Sequence, residues 1–129
     1  MKKLILLLLL GTLSITAVEA KTKYLEKDYQ ALWCSANNGI TEVVLPDKAR
    51  VDCVLEDYAV EADWASKWAE GIGQSLYYAK VLNKKPAILL LMTNGEKDEK
   101  YLKRLRTVTE DLGIKVFVMR SMEVVNEEY

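Results

Sequence analysis

Six consecutive apolar residues, Ala87 to Met92, constrain this chain more than any other feature. The run is too short for a typical helix and does not alternate, so it fits a strand buried on both faces. Helical patterns flank it. Trp64 to Leu82 precedes it, ended by Asn83 to Pro86, and Lys97 to Leu112 follows, stopped by Gly113. Lys115 to Met119 reads as a last strand, and Ser121 to Tyr129 as a polar tail. Upstream, Leu25, Tyr29, Leu32 and Trp33 fall at helical spacing within Tyr24 to Ala36, a segment ended by Asn37-Asn38-Gly39. Ile40 to Leu45, Arg50 to Leu55 and Tyr58 to Asp63 read as three strands, separated at Pro46-Asp47 and Glu56-Asp57. On the second, alternation puts Val51, Cys53 and Leu55 on one face and Asp52 and Val54 on the other. The expected architecture is an α/β fold with a mixed sheet: an antiparallel meander, then crossover helices, in the order α-β-β-β-α-β-α-β.

The first twenty residues read as an address. Lys2 and Lys3 precede the apolar run Leu4 to Leu10, and Val18-Glu19-Ala20 offers small residues for cleavage before Lys21. The alternative is an uncleaved anchor. However, Leu4 to Val18 is interrupted by Gly11, Thr12, Ser14 and Thr16, and a span needs about 20 apolar residues. The expectation is a signal peptide at 1–20 and a single domain at 21–129, exported to a periplasmic or extracellular space, with no membrane association after cleavage. The mature chain carries 16 basic and 18 acidic residues, a charge of −2. In an oxidising compartment Cys34 and Cys53 are expected to pair, the alternative being two buried thiols.

Composition removes whole classes of chemistry. The chain has no histidine, so no Ser-His-Asp triad, Cys-His dyad or zincin helix can form. Two cysteines without histidine cannot close a four-ligand zinc site from Cys and His. Neither a P-loop nor a dinucleotide fingerprint is present. Carboxylates, lysines and a hard metal ion are what remain for an enzyme. Asp52 sits inside an apolar strand, and Glu61 and Asp63 lie two apart on the next, sharing a face. Pairing through the Glu56-Asp57 turn brings Asp52 and Glu61 roughly opposite each other. Converging carboxylates repel unless a hard cation joins them; the alternative is two solvated charges on an open sheet face.

On the long helix, Trp64, Ala65, Trp68, Ile72, Leu76, Ala79 and Leu82 form the expected buried stripe. Lys67, Gly71, Gln74 and Tyr78 form a second stripe beside it, with Gly71 leaving a gap for a backbone or ligand. Lys80, Lys84 and Lys85 end this helix, and Lys97, Lys100, Lys103, Arg104 and Arg106 crowd the next, with Glu96, Asp98 and Glu99 as acidic neighbours. These charges read as solvated helix faces.

An Asp in one strand, Glu in the next and Gln-x-x-x-Tyr on the following helix resembles the PD-(D/E)XK nuclease superfamily, and Gln74 to Tyr78 its RecB-like branch. The runs Arg50 to Cys53, Val60 to Glu70 and Gly73 to Ala79 are similar to a group of small exported bacterial proteins with that restriction-endonuclease-like core. The resemblance spans Tyr24 to Met92 and implies metal-dependent hydrolysis of nucleic acid. Asp52, Glu61 and the Ala62 carbonyl would hold Mg²⁺ or Mn²⁺, and Lys67, Gln74 and Tyr78 would serve water and substrate. Glu42 and Asp63 are possible additional ligands. The chain departs from the pattern at Asp63, where the family carries lysine, and Lys67 is the substitute. The alternative is an exported binding protein that keeps the fold without the chemistry.

Overall fold

The computed structural model describes residues 24–122; the expected signal at 1–20 and most of the tail at 121–129 lie outside them. The elements follow the expected order: α1 Glu26–Ala36, β1 Ile40–Val44, β2 Arg50–Val54, β3 Tyr58–Trp64, α2 Glu70–Leu82, β4 Lys85–Leu91, α3 Glu99–Leu112 and β5 Lys115–Met119. Short 3₁₀ turns at Ala65–Lys67 and Gly95–Asp98 lead into α2 and α3. Both helices close on a residue in the left-handed region, Asn83 and Gly113, which lets the chain reverse into the next strand. Among the described residues, no helix is long and apolar enough to cross a membrane.

The five strands lie in sequence order in one mixed sheet. β1, β2 and β3 form the antiparallel meander, while β3–β4 and β4–β5 are parallel. The Ala87 to Met92 run behaves as its composition requires. Ala87, Leu89 and Leu91 pack toward α1, with Tyr29, Trp33 and Met119. Ile88, Leu90 and Met92 pack in the opposite cluster with Leu102 and Leu105 of α3. The sheet is therefore a central layer, with α1 on one face and α2 and α3 on the other.

Cys34 and Cys53 form a disulfide with a Cα–Cα distance of 5.7 Å, tying α1 to β2. A Cβ at Gly39 would come within 2.6 Å of both sulfurs, so only glycine lets the backbone pass over the bridge.

Three expectations need correction. The helix after β3 starts at Glu70, not Trp64, because Trp64 still pairs with Leu91 in the sheet. Lys67 therefore sits on the 3₁₀ turn and not on a common α-helical stripe with Gln74 and Tyr78. The buried face of α2 is also rotated from the expected one: Gly71, Ser75, Tyr78 and Ala79 are buried, whereas Leu76 is exposed. Gly71, Ser75 and Ala79 recur at i, i+4 and i+8, and such small residues let the helix approach the sheet closely.

The third correction concerns β2. Cys53 and Leu55 pack toward α1, but Val51 packs with Tyr78 and Ala79 of α2. The alternation breaks at Asp52. Its counterpart in the β1–β2 register is Glu42, whose φ of 57° lies in the left-handed region. A non-glycine residue there is uncommon and costs on the order of 1–3 kcal/mol. The ladder pairs Thr41 with Cys53 and Val43 with Val51 but skips the residues between. At this irregular step both strands change the face they present.

Candidate metal centre

The irregular step is where the acidic residues meet. β2 and β3 pair only at Cys53–Val60 and Val54–Ala59 and then diverge. Continued one step, that register sets Asp52 opposite Glu61, as expected from the sequence. Asp52 instead fills the gap between the strands, where its Oδ2 accepts the Ala62 amide at 2.8 Å. On β3, Ala59 packs toward α2 while Val60 and Ala62 pack toward α1. By alternation Glu61 and Asp63 face α2. There they meet the glycine gap: a Cβ at Gly71 would lie 2.4 Å from Asp63 Oδ2 and 3.5 Å from Glu61 Cγ.

Glu61 and Asp63 are each only 6% exposed, and Glu61 Oε2 and Asp63 Oδ2 are buried without a hydrogen-bond partner. Burying an unpaired carboxylate is costly, and the normal response is to hold a proton instead. Burial pushes Glu61 up to about 9, reinforced by the charges of Asp52 and Asp63. Burial likewise raises Asp63 to about 7; Glu26, Asp52 and Glu70 add to the rise, and Lys67 opposes it. Asp52 rises to about 6, again through burial, held back by the Ala62 amide and by Glu61. All three carboxyls thus resist ionisation, and Glu61 keeps its proton longest.

Tyr78 is buried beside Val51 and Ala59, and its hydroxyl accepts the Gln74 side-chain amide at 3.3 Å. Burial raises its pKa, and the Glu61 and Asp52 charges contribute, so the phenol lies within their field. Asp52, Glu61, Asp63 and Tyr78 therefore come together, with exposed Gln74 attached through Tyr78. Lys67 is exposed and closes no salt bridge within 4.0 Å among the described residues, yet its charge reaches Asp63. Glu42 is engaged elsewhere. Its carboxylate accepts Gln30 Nε2 at 2.9 Å and pairs with Arg50 at 3.2 Å, although its charge still bears on Asp52.

Two contributors escaped the sequence reading. Glu26 raises the pKa of all three carboxyls from the first turn of α1. Gln30, one turn later and buried, donates to both Glu42 and the Asp52 carbonyl, fixing the irregular step against α1. Their i, i+4 spacing was visible, but an acid in a helix's first turn ordinarily needs no site to explain it.

A cavity of about 400 Å³ opens at the carboxyl ends of β3 and β4, lined by Trp64 and Leu91, by Tyr24 to Glu26, and by Thr93 and Asn94, but by none of Asp52, Glu61 and Asp63. Clefts outside the carboxyl ends of parallel strands are where open α/β sheets commonly bind ligands. Another cavity, of about 360 Å³, lies at the far end around Glu56 and Lys84, and neither cavity is lined by Glu61 or Asp63.

No three acidic side chains among the described residues converge into a ready-made cage. Mg²⁺ does not require one, since it usually keeps several waters and binds through one or two carboxylates. The orphaned oxygens, the carboxyls that resist ionisation and the hard-oxygen donor set all fit such an ion. No protein-family model matches the chain, and neither the curated proteins nor the solved structures yield a match.

Proposed function

We propose that the chain is a metal-dependent phosphodiesterase acting on nucleic acid, exported and built on a PD-(D/E)XK-like core. One observation carries the reading: Glu61 Oε2 and Asp63 Oδ2 are buried and unpartnered beside Asp52. Such a cluster costs stability unless a cation or protons neutralise it. Asp52, Glu61 and the Ala62 carbonyl would hold Mg²⁺ or Mn²⁺, with Asp63 as a further acidic neighbour. When bound, the ion supplies positive charge against the phosphate and lowers the pKa of a water in its shell.

The chain's own residues do the rest. The Ala62 amide fixes the Asp52 carboxylate against β3 at 2.8 Å. Tyr78, held by Gln74, offers a hydroxyl to orient the substrate's phosphate. Lys67 is the cation beside Asp63, suited to stabilising phosphate charge or orienting the attacking water.

One observation favours a second reading. Asp63 stands where the resembled family carries lysine, and Lys67 lies exposed on a 3₁₀ turn without an ion-pair partner among the described residues. On that reading the site holds a cation and cuts nothing. Cleavage of single- and double-stranded DNA and of RNA with Mg²⁺ or Mn²⁺ separates the two. Hydrolysis is expected to stop in chelator and to fall by more than about 100-fold in Asp52→Asn and Glu61→Gln, since changing even the outer partners of metal ligands costs about 10–100-fold. A disulfide-intact protein that cuts none of these substrates, or cuts as well with Asp52→Asn, leaves only the binding reading.

A further inference from the structure

We infer that Gln30 is a positioning residue of the carboxylate cluster: from α1 it holds the irregular β1–β2 step in the arrangement that turns the Asp52 carboxylate into the gap beside β3. The consequence for ion affinity rests on the metal reading of that cluster, whereas the placement of Asp52 stands on the hydrogen bonds themselves.

Gln30 is buried, one turn after Glu26 and one turn before Cys34 on a single stripe of α1. Its Nε2 donates to the Asp52 carbonyl at 2.8 Å and to the Glu42 carboxylate at 2.9 Å. Both partners only accept, so the contact needs the two N–H groups of one amide nitrogen. A methionine or leucine of similar size supplies neither. Asp52 and Glu42 belong to no registered pair of the β1–β2 or β2–β3 ladders. The Asp52 carbonyl is therefore taken up from a helix, where a neighbouring strand would ordinarily serve. Burying an amide costs free energy until its bonds are made, so packing alone would favour an apolar side chain at this position.

The step that Gln30 holds is strained. Glu42 keeps a left-handed φ of 57°, a conformation that persists only where the surroundings fix it. Arg50 also reaches Glu42, at 3.2 Å, but that pair lies exposed, and exposed pairs contribute little. The buried amide is the stronger hold. Gln30 and the Cys34–Cys53 bridge grip the adjacent residues Asp52 and Cys53 from successive turns of α1. On the other side, Asp52 Oδ2 accepts the Ala62 amide at 2.8 Å. Main chain and carboxylate of Asp52 are thus both tied. Outer partners of this kind orient metal ligands, and losing one costs about 10–100-fold in affinity.

Two measurements on disulfide-intact protein test the role: calorimetric Mn²⁺ affinity, and exchange of the Ala62 amide in EDTA, taken relative to that of Leu89 on β4. Gln30→Met keeps the length and removes both donors. It should weaken Mn²⁺ binding about tenfold. It should also speed Ala62 exchange relative to Leu89 several-fold, up to about tenfold, the scale of one lost hydrogen bond. Ile114→Ala, in the core beside β5 and two strands from Glu61, should melt earlier yet bind Mn²⁺ as wild type. That contrast separates positioning from a general loss of stability. Circular dichroism verifies the fold; if Gln30→Met does not fold, Gln30→Asn, whose shorter amide cannot span both acceptors, takes its place with the same expected direction. The inference is overturned if the Gln30 variant binds Mn²⁺ as wild type, if Ile114→Ala loses affinity equally, or if Ala62 exchange keeps its ratio to Leu89. A wild type that binds no Mn²⁺ refutes the metal reading alone, and the Ala62 ratio then decides whether Gln30 places Asp52.

Discussion

Glu61 should make the metal-free protein less stable as pH rises above neutrality. Its carboxyl ionises near 9 when folded, against 4.5 for an ordinary glutamate. The folded state therefore binds the extra proton, and stability falls as pH climbs through that window. One proton's difference is worth about 1.4 kcal/mol per pH unit. Asp52, near 6, has given up most of its proton by neutrality, and Asp63, near 7, loses its remaining half within about the next unit, a small addition to the Glu61 effect. From about pH 7 to about pH 8.5 the loss from Glu61 is therefore about 2 kcal/mol, taken as an upper bound because the group relaxes as it ionises. Glu61→Gln keeps the shape and cannot ionise, so its profile should flatten over the same range. Urea denaturation at both pH values in EDTA measures this. A wild type equally stable at both, or a Glu61→Gln variant as steep as wild type, would refute the argument that burial keeps this carboxyl protonated.

Reducing the Cys34–Cys53 bridge, which closes a loop of sequence separation 19, should lower unfolding free energy by about 3 kcal/mol. Denaturant curves with and without reductant decide it, and coincident midpoints would dismiss a stabilising bridge. The two α2 glycines should respond oppositely to alanine. Gly73 has nothing within 4 Å of a new Cβ, so Gly73→Ala should gain up to about 1 kcal/mol of helix propensity. Gly71→Ala drives a Cβ into the Asp63 carboxylate, and overpacking of this kind costs about 1–3 kcal/mol. Equal stabilisation of both variants in thermal melts would mean that Asp63 does not rest against the helix.

Much of the frame was legible because it follows from local rules. The Ala87 to Met92 run needed cover on both faces, and the short Glu56-Asp57 turn set the antiparallel pairing of Cys53 with Val60 and Val54 with Ala59. What escaped notice depends on contacts distant in sequence. Val51 changes face because Glu42 adopts a left-handed backbone, and Gln30 and Arg50 hold that residue from two other elements. The buried face of α2 was misread because hydropathy weights Leu76, while the helix is positioned by the small residues Gly71, Ser75 and Ala79. Lys67 was assigned to a helix because nothing in Trp64 to Ala69 announces that the sheet extends through Trp64. Glu26 joins the acidic cluster only because α1 is docked by Trp33 and the disulfide.

The central claim is that Asp52 and Glu61, with Asp63 as an acidic neighbour, are the seat of a divalent cation. Calorimetric titration of the metal-free protein with Mn²⁺ near neutral pH, repeated in buffers of different ionisation enthalpy, tests it most directly. A single site is expected, with proton release on binding because Glu61 must give up the proton that burial makes it keep. Glu61→Gln should remove the proton release and weaken affinity by about 10–100-fold. Absence of binding, or binding without proton release and indifferent to Glu61→Gln, would contradict the account.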